Sequence, residues 1–453
     1  MEEKIYSPLY EAIKAHNAKQ AVPFHMPGHK GHAEVLDALS CVLPYDLTEL
    51  PDTGSLFDGE GPTLEAEKLA AELFQTAGSF FSAGGCSLCI QTMLRLAMPQ
   101  GGKMVCGRLI HRSVINAMAL LGIEPVWVLH DNSGGENFAG RLKAEDVERT
   151  LKENPDAKAV FVTSPDYFGL ISDTGSIGKV CDRHNIPLLV DNAHGAHLYF
   201  LEENLAPVRL GAAMSADSAH KTLPVLTGGA WLNIGDEKYL TGVREAMALF
   251  GSTSPSYPIM LSLDLCRAWL SGEGKDRIRK TAAFIAEFKE KVEYLGYDLP
   301  KGPTDPMRLA FRADSLGYEP GEVGEFLRGK GIEPEYAGEE GLILIPTPFN
   351  PEGDFESLYE ALKDLAAHPK TKNKREQKSI YANGLPQAKM TPRAALLAQS
   401  EIVATKDAKG RVAARVICPC PPAIPLVIPG ELISSREVEN LLRASYFEVC
   451  VVK

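Results

Sequence analysis

AVFVTSPDYFGLISDTGSIGKVCDRHNIPLLVDNA (159–193) is the stretch that decides the fold class. Two short, almost wholly apolar runs, AVFVTS (159–164) and PLLVDNA (187–193), flank a helix-patterned segment near 175–185. A strand that is apolar on successive residues has both faces covered, as strands of a parallel sheet do. Outward from it the pattern repeats. FFSA (80–83), MVCG (104–107) and PVWVL (125–129) read as further strands, with helix-like stretches near 87–98 and 112–121. The fold class is therefore α/β with a buried, mostly parallel sheet, whose binding groups should gather at the loops after the strands' carboxyl ends. Thr63 is expected to cap a helix over LEAEKLAAELFQ, whose early acidic residues suit a helix N-terminus.

The flanking regions differ in texture. Residues 1–60 read as irregular, with helix only at 7–18, and 257–296 as long helices. MRLAFRA, GIEPEYA, LILIPTP and a helix at 354–367 form a smaller α+β unit, HPKTKNKREQKS (368–379) a linker, and the Pro-rich remainder a third region. The expected domains are 1–300, 301–368 and 369–453. Of the 453 residues, 47 are Lys or Arg and 59 Asp or Glu, a net charge of −12 that argues against a nucleic-acid binder. No apolar run reaches the ~18 residues of a membrane span, and MEEKIYSPLYEAIKAH shows no secretory signal. The nine cysteines, several in apolar strand-like runs (Cys41, Cys106, Cys418), read as reduced, buried thiols of a cytoplasmic protein.

Chemistry concentrates in SADSAHKTLPVLTGGAWL (215–232). Lys221 follows His220 in a small-residue stretch just before an apolar strand-like run, unlike a lysine on a polar helix face. Ser215, Ser218, His220 and Thr222 offer donors suited to an anion such as a phosphate. A lysine so presented can form a Schiff base with a carbonyl cofactor, of which pyridoxal 5'-phosphate is the usual one. That cofactor needs a buried carboxylate for its ring nitrogen, and Asp191 ends the apolar run PLLV thirty residues before Lys221. It needs a phosphate cradle at a helix N-terminus, which SAGGCSLCIQTML (82–94) provides, with Ser87 opening an apolar helix. It also needs a flat group on the ring face, and His111, after MVCGRLI, is the candidate.

DNAHGAHLYF (191–200) together with SADSAHKTLPVLT (215–227) closely resembles the Orn/Lys/Arg decarboxylases. The resemblance extends to HMPGHKG (25–31), DLTELPDTGSLFDGEGP (46–62), HRSVINAMALLGIEP (111–125), TSPSYPIMLSLD (253–264) and CPPAIPLVIPGELI (420–433). It implies a fold type I pyridoxal-phosphate enzyme of the aspartate-aminotransferase fold, with a seven-stranded-type sheet and small and C-terminal α+β domains. It implies a short form without the family's N-terminal wing domain. Position by position, Lys221 becomes the Schiff-base lysine, Asp191 the partner of the ring nitrogen and His111 the stacking group. Gly85, Cys86, Ser87, Ser218 and His220 fall where the family holds the phosphate, and His194 lies near cofactor and substrate. Ser252 and Thr253 fall where relatives offer a phosphate contact from a neighbouring subunit, which implies a homodimer. Cys86 replaces the usual Ser or Thr of the phosphate loop, Gly228 a Gln, and Cys420 and Ala423 a Tyr and a Gly.

The activity so implied is decarboxylation of a basic amino acid. The acidic residues Asp46, Glu49, Asp52, Asp58 and Glu60 read most simply as a solvated loop, the alternative being that one of them, or Glu431, pairs with the substrate's distal cation. Two alternatives stand beside that activity. An aminotransferase of the same fold needs an Arg to clamp the retained carboxylate, for which Arg308 and Arg312 are the candidates. A non-catalytic homologue would bind cofactor without turnover. Asp191, His194 and His197, and His25, His29 and His32, are of metal-ligand type, but no second ligand cluster accompanies them and no metal is expected.

Overall fold

The structure is a computed structural model that describes residues 6–129, 140–338, 341–370, 384–419 and 423–453. The expected linker lies outside these residues from position 371 onward, as does Cys420. Seven strands, β1 (Gly78–Ser82), β2 (Gly102–Gly107), β3 (Ile123–Val128), β4 (Ala159–Thr163), β5 (Leu188–Asp191), β6 (Met214–Asp217) and β7 (Ala230–Ile234), form one sheet in the order β1-β7-β6-β5-β4-β2-β3. The sheet is mixed: β7 runs antiparallel to both β1 and β6, while β2 pairs in parallel with β3 and β4, and β5 with β6. Among the described residues no helix is long and apolar enough to cross a membrane.

The residues group into two compact units. The first, residues up to Leu96 with Leu189–Lys280, holds β1, β7, β6 and most of β5. The helix Gly61–Phe74 starts two residues before Thr63, with Glu60 at its N-cap position, so Thr63 is not the cap. Pro62 in the first turn explains the earlier start, because its missing N–H costs nothing there. Glu67 of this helix is buried, yet it accepts the Phe81 N–H at 2.9 Å and an Arg244 bond at 2.6 Å. The helix is thus fastened to β1 by a charge that burial alone would disfavour. The helix Pro8–Ala18 buries Leu9 and Ile13 completely. Ser7 and the Leu9 N–H both donate to Asp264, which is paired with Arg267 at 2.7 Å.

The second unit, Ala97–Leu188 with Thr281–Lys453, holds β2, β3 and β4. It also contains a three-stranded antiparallel sheet of β8 (Leu309–Phe311), β9 (Tyr336–Gly338) and β10 (Gly341–Leu344), in the order β8-β10-β9. A two-stranded sheet joins β11 (Ser400–Ala404) to β12 (Glu448–Val452) over a small core of Ile417, Val427, Ile433, Leu441 and Val451. The helices Ala144–Glu153 and Pro320–Gly329 lie where no sequence feature was singled out. The eight described cysteines are free, and Cys86, Cys89, Cys106, Cys181 and Cys266 are buried. Cys41 and Cys418 depart from the expectation: Cys418 is half-buried and Cys41 exposed, and neither lies in one of the strands.

Candidate active site

In the first unit, the segments at the carboxyl ends of β5 and β6 carry the candidate side chains Asp191, His194 and Lys221. Every residue of β5 is buried, and Asp191 at its end is 1% exposed. Its Oδ1 accepts the Ala193 N–H at 3.1 Å. Burial pushes this carboxyl above the ordinary carboxylate range, with the Lys221 charge and the Ala193 bond opposing the rise. The chain turns immediately, Gly195 N–H donating to the Asn192 carbonyl at 2.9 Å, and presents His194. After β6 a single helical turn, Ala219–Thr222, carries Lys221. The apolar run after it is not a strand, since the next strand begins only at Ala230. Lys221 Nζ lies 3.2 Å from His194 Nε2. When the lysine is an ammonium it donates there, so the imidazole proton sits on Nδ1.

The helix Gly85–Ala97 opens at Gly85, two residues ahead of Ser87. Gly85 has φ +66°, a left-handed conformation that suits glycine, and its N–H donates to the Gly228 carbonyl at 2.8 Å. Gly84 and Ser87 are exposed at this N-terminus, which presents backbone donors and the positive end of the helix dipole to an anion. The Cys86 thiol points inward instead and is hydrogen-bonded with Ser218, its pKa pushed well above normal, chiefly by burial. His220 bonds through Nδ1 to the Gly229 carbonyl at 3.0 Å, and burial lowers its pKa. The neutral ring therefore spends its proton on Gly229, which fastens the 228–229 turn behind Gly85.

The structure thus brings Lys221 to His194, Cys86 to Ser218, and Gly85 to the turn held by His220. Ser252 and Thr253 lie on an exposed turn, where Ser254 N–H donates to Ser252 Oγ at 3.2 Å. His111 belongs to the second unit, at the N-cap of the helix Arg112–Leu121. Its Nδ1 accepts the Ser113 N–H at 3.2 Å and lies 2.8 Å from Ser113 Oγ, which fixes the ring and leaves the neutral proton on Nε2.

Several candidates for a substrate's distal cation are already engaged. Asp46 pairs with His29 at 3.1 Å, and Asp52 with Lys19 at 2.5 Å and His16 at 3.0 Å. Glu431 is buried against Arg108 at 3.2 Å and accepts the Ile428 N–H at 2.8 Å. Removing the guanidinium would strand a buried carboxylate, so Arg108→Met should lower stability by roughly 3–5 kcal/mol, read as a shift of the urea midpoint. Arg308 and Arg312 are buried as well. Arg312 pairs with Asp314 at 2.7 Å, and the field of Asp305, Glu335, Tyr167 and Asp166 acts on Arg308.

One group had no counterpart in the sequence reading. Asp217, buried at the end of β6, accepts from Ser215 Oγ at 2.7 Å, from Asn233 at 3.0 Å and from the Asn192 amide. Three donors oppose the desolvation, and the carboxyl is still pushed up to about 6. A carboxylate and two amides in apolar strands were the available signal; that they meet depends on strand register.

The chain matches the family model "Orn/Lys/Arg decarboxylase, major domain" over residues 7–299 and "Orn/Lys/Arg decarboxylase, C-terminal domain" over 374–450. It is 30% identical over 456 residues to the arginine decarboxylase of Bacillus subtilis, covering 96% of this chain and 93% of that protein. To the arginine decarboxylase of Halalkalibacterium halodurans it is 31% identical, covering 97% and 93%. In fold it is similar to the constitutive lysine decarboxylase of E. coli, with a TM-score of 0.81 at 21% identity, covering 100% of this chain and 82% of that one. The chain belongs to the Orn/Lys/Arg decarboxylase family.

Proposed function

We propose that this protein removes the α-carboxylate of arginine as CO₂, leaving the amine, with pyridoxal 5'-phosphate held at Lys221. Basic amino-acid decarboxylation follows from the family. Arginine is favoured because the arginine decarboxylases at 30–31% identity stand well above the lysine decarboxylases at 22–23%. One observation supports the cofactor most: Asp191 is a carboxylate buried at a strand end, with Lys221 as the cation acting on it. A buried carboxylate of this kind is costly unless a cation meets it, and a protonated ring nitrogen is such a cation. The backbone N–H groups of Cys86 and Ser87 and the exposed Ser87 hydroxyl, in the first turn of the helix Gly85–Ala97, fit the phosphate, as does Ser218 beside Cys86. When bound, the cofactor supplies an electron sink for the pair released as the Cα–carboxylate bond breaks.

The chain's own residues have separable tasks. Asp191 keeps the positive charge of the ring nitrogen in place. His194 Nε2, 3.2 Å from Lys221 Nζ, can take a proton from the ammonium, which frees the amine as a nucleophile, and return it for delivery to Cα. His111, its Nδ1 bound by Ser113, offers a ring face of fixed orientation. Ser252 and Thr253, exposed on their turn, are free to serve a neighbouring copy in a cytoplasmic homodimer. A burial-matched Arg for a retained substrate carboxylate is less well supported, since Arg312 is paired and Arg308 sits among acidic groups.

The test is CO₂ release from arginine, lysine and ornithine by the cofactor-saturated protein. Arginine is expected to be turned over fastest. Cofactor binding without CO₂ from any of the three would overturn the reading, and keto-acid-dependent amino transfer would replace it with the aminotransferase alternative.

A further inference from the structure

Alternate residues of β5 and β6 face opposite sides of the sheet, and the register pairs Asp191 with Ala216 and Val190 with Ser215. Asp191 and Ala216 therefore share one face, while Asn192, Ser215 and Asp217 share the other. On that second face lies a continuous buried polar chain. Thr76 Oγ1 is 2.9 Å from Ser79 Oγ, which donates to Asn233 Oδ1 at 2.5 Å. Asn233 and Ser215 donate to Asp217 Oδ2, and the Asn192 amide to Asp217 Oδ1. Tyr199 closes the chain with its hydroxyl 3.3 Å from Ser215 Oγ. Asp217 is thus the hub joining the ends of β5, β6 and β7. Asn192 is the residue between Asp191 and the turn that presents His194, and its own N–H donates to the Ala216 carbonyl at 2.9 Å.

We propose that Asp217 is a positioning residue for the reaction: it grips Asn192 from the far face of the sheet and so fixes the strand end from which Asp191 and the His194 turn project. This rests on the roles given above to Asp191 and Lys221. Asp217 itself leads, through Ser218, into the turn carrying Lys221, so one carboxylate ties both reactive segments to the sheet. The ionisable groups acting on Asp217 and its network from neighbouring elements include Asp191, Tyr199, Cys86, Cys89 and, through Tyr199, Arg209. Asn192 Oδ1 is buried without a hydrogen-bond partner. An Asn at 217 could therefore be accommodated by an amide flip at Asn192, its new NH₂ donating to that oxygen.

The experiment compares Asp217→Ala, Asp217→Asn, Asn192→Ala and the double Ala variant as holoenzymes, reading kcat, KM and the pH titration of the cofactor's visible absorbance. Asp217→Ala and Asn192→Ala should each lower kcat by roughly 10²-fold, the cost of a small misplacement of reacting groups, with KM nearly unchanged and the titration displaced. Asp217→Asn should stay within about threefold of the unaltered enzyme, rescued by the flip, and the double variant should be no worse than either single change. Additive losses, or an Asp217→Ala enzyme with unaltered kcat and titration, would overturn the proposal. If Asp217→Ala does not fold, Asn192→Ala with normal kcat overturns it equally. An unaltered protein with no cofactor absorbance would overturn the cofactor reading itself, whereas a normal band with unaffected variants overturns only the role of Asp217.

Discussion

Lys221→Ala should retain the fold and lose at least ~10³-fold in kcat, because nucleophile and proton donor vanish together. The side chain is only partly buried on a four-residue helical turn, so its removal opens no large cavity and the thermal midpoint should move little. His194 is left without the Nζ that lies 3.2 Å from its Nε2, and a small primary amine added in excess should restore a fraction of the rate by entering that space. Borohydride treatment of the loaded, unaltered protein should fix the cofactor on the peptide spanning residue 221, and the variant should give none. A variant that decarboxylates arginine at near-normal rate would remove Lys221 from the chemistry.

Asp191→Asn should act in opposite directions on activity and on stability. Turnover should fall by roughly 10²–10³-fold, the range for losing one preorganised electrostatic partner in a buried site. The apoprotein should respond differently. Its Asp191 carboxyl is raised by burial, and a group whose folded pKa lies above its unfolded one holds its proton more tightly when folded. Its stabilising contribution is full below the unfolded value near 3.8 and is lost as pH rises through the folded one. As pH rises the unaltered apoprotein therefore loses stability to a buried carboxyl whose charge the Lys221 ammonium and the Ala193 N–H only partly offset, a cost the Asn variant lacks. The variant should melt higher than the unaltered apoprotein at pH 8 and about equally near pH 4. Cofactor should narrow the gap at pH 8, since its protonated ring nitrogen would add a second cation beside Lys221. Equal melting temperatures at pH 8, or unimpaired kcat, would contradict this assignment.

Much of this was legible because buried strands write themselves into sequence. AVFVTS, MVCG and PLLVDNA coincide with β4, β2 and β5 to within a residue or two, apolar on successive positions as two-sided burial demands. Asp191 stood out for the same reason, a charge ending an apolar run. The helix over 61–74 was anticipated, but not its start, because Pro62 in the first turn outweighed the hydroxyl of Thr63. The turn holding Lys221 is too short to leave any periodicity, so the apolar residues after it were read as a strand. The sheet's antiparallel member, β7, was invisible as such, since pairing direction depends on connections and not on composition. Glu431 and Arg108, more than three hundred positions apart, gave no hint of each other, and the Asp217 hub required knowing which residues share a face.

The alternation along β5 and β6 separates the face that carries Asp191 from the face of structural fasteners, Ser215, Asp217 and Asn192, by a single step along the chain. Substitutions can therefore reshape what faces the reactants while the fasteners behind stay intact. Inserting or deleting one residue between 188 and 192 is another matter, because a single-step slip exchanges the two sides. It would turn the amide of Asn192 toward the side that Asp191 now faces and bury the carboxylate of Asp191 among the fasteners, so these strands should tolerate replacement at single positions but not a change in length.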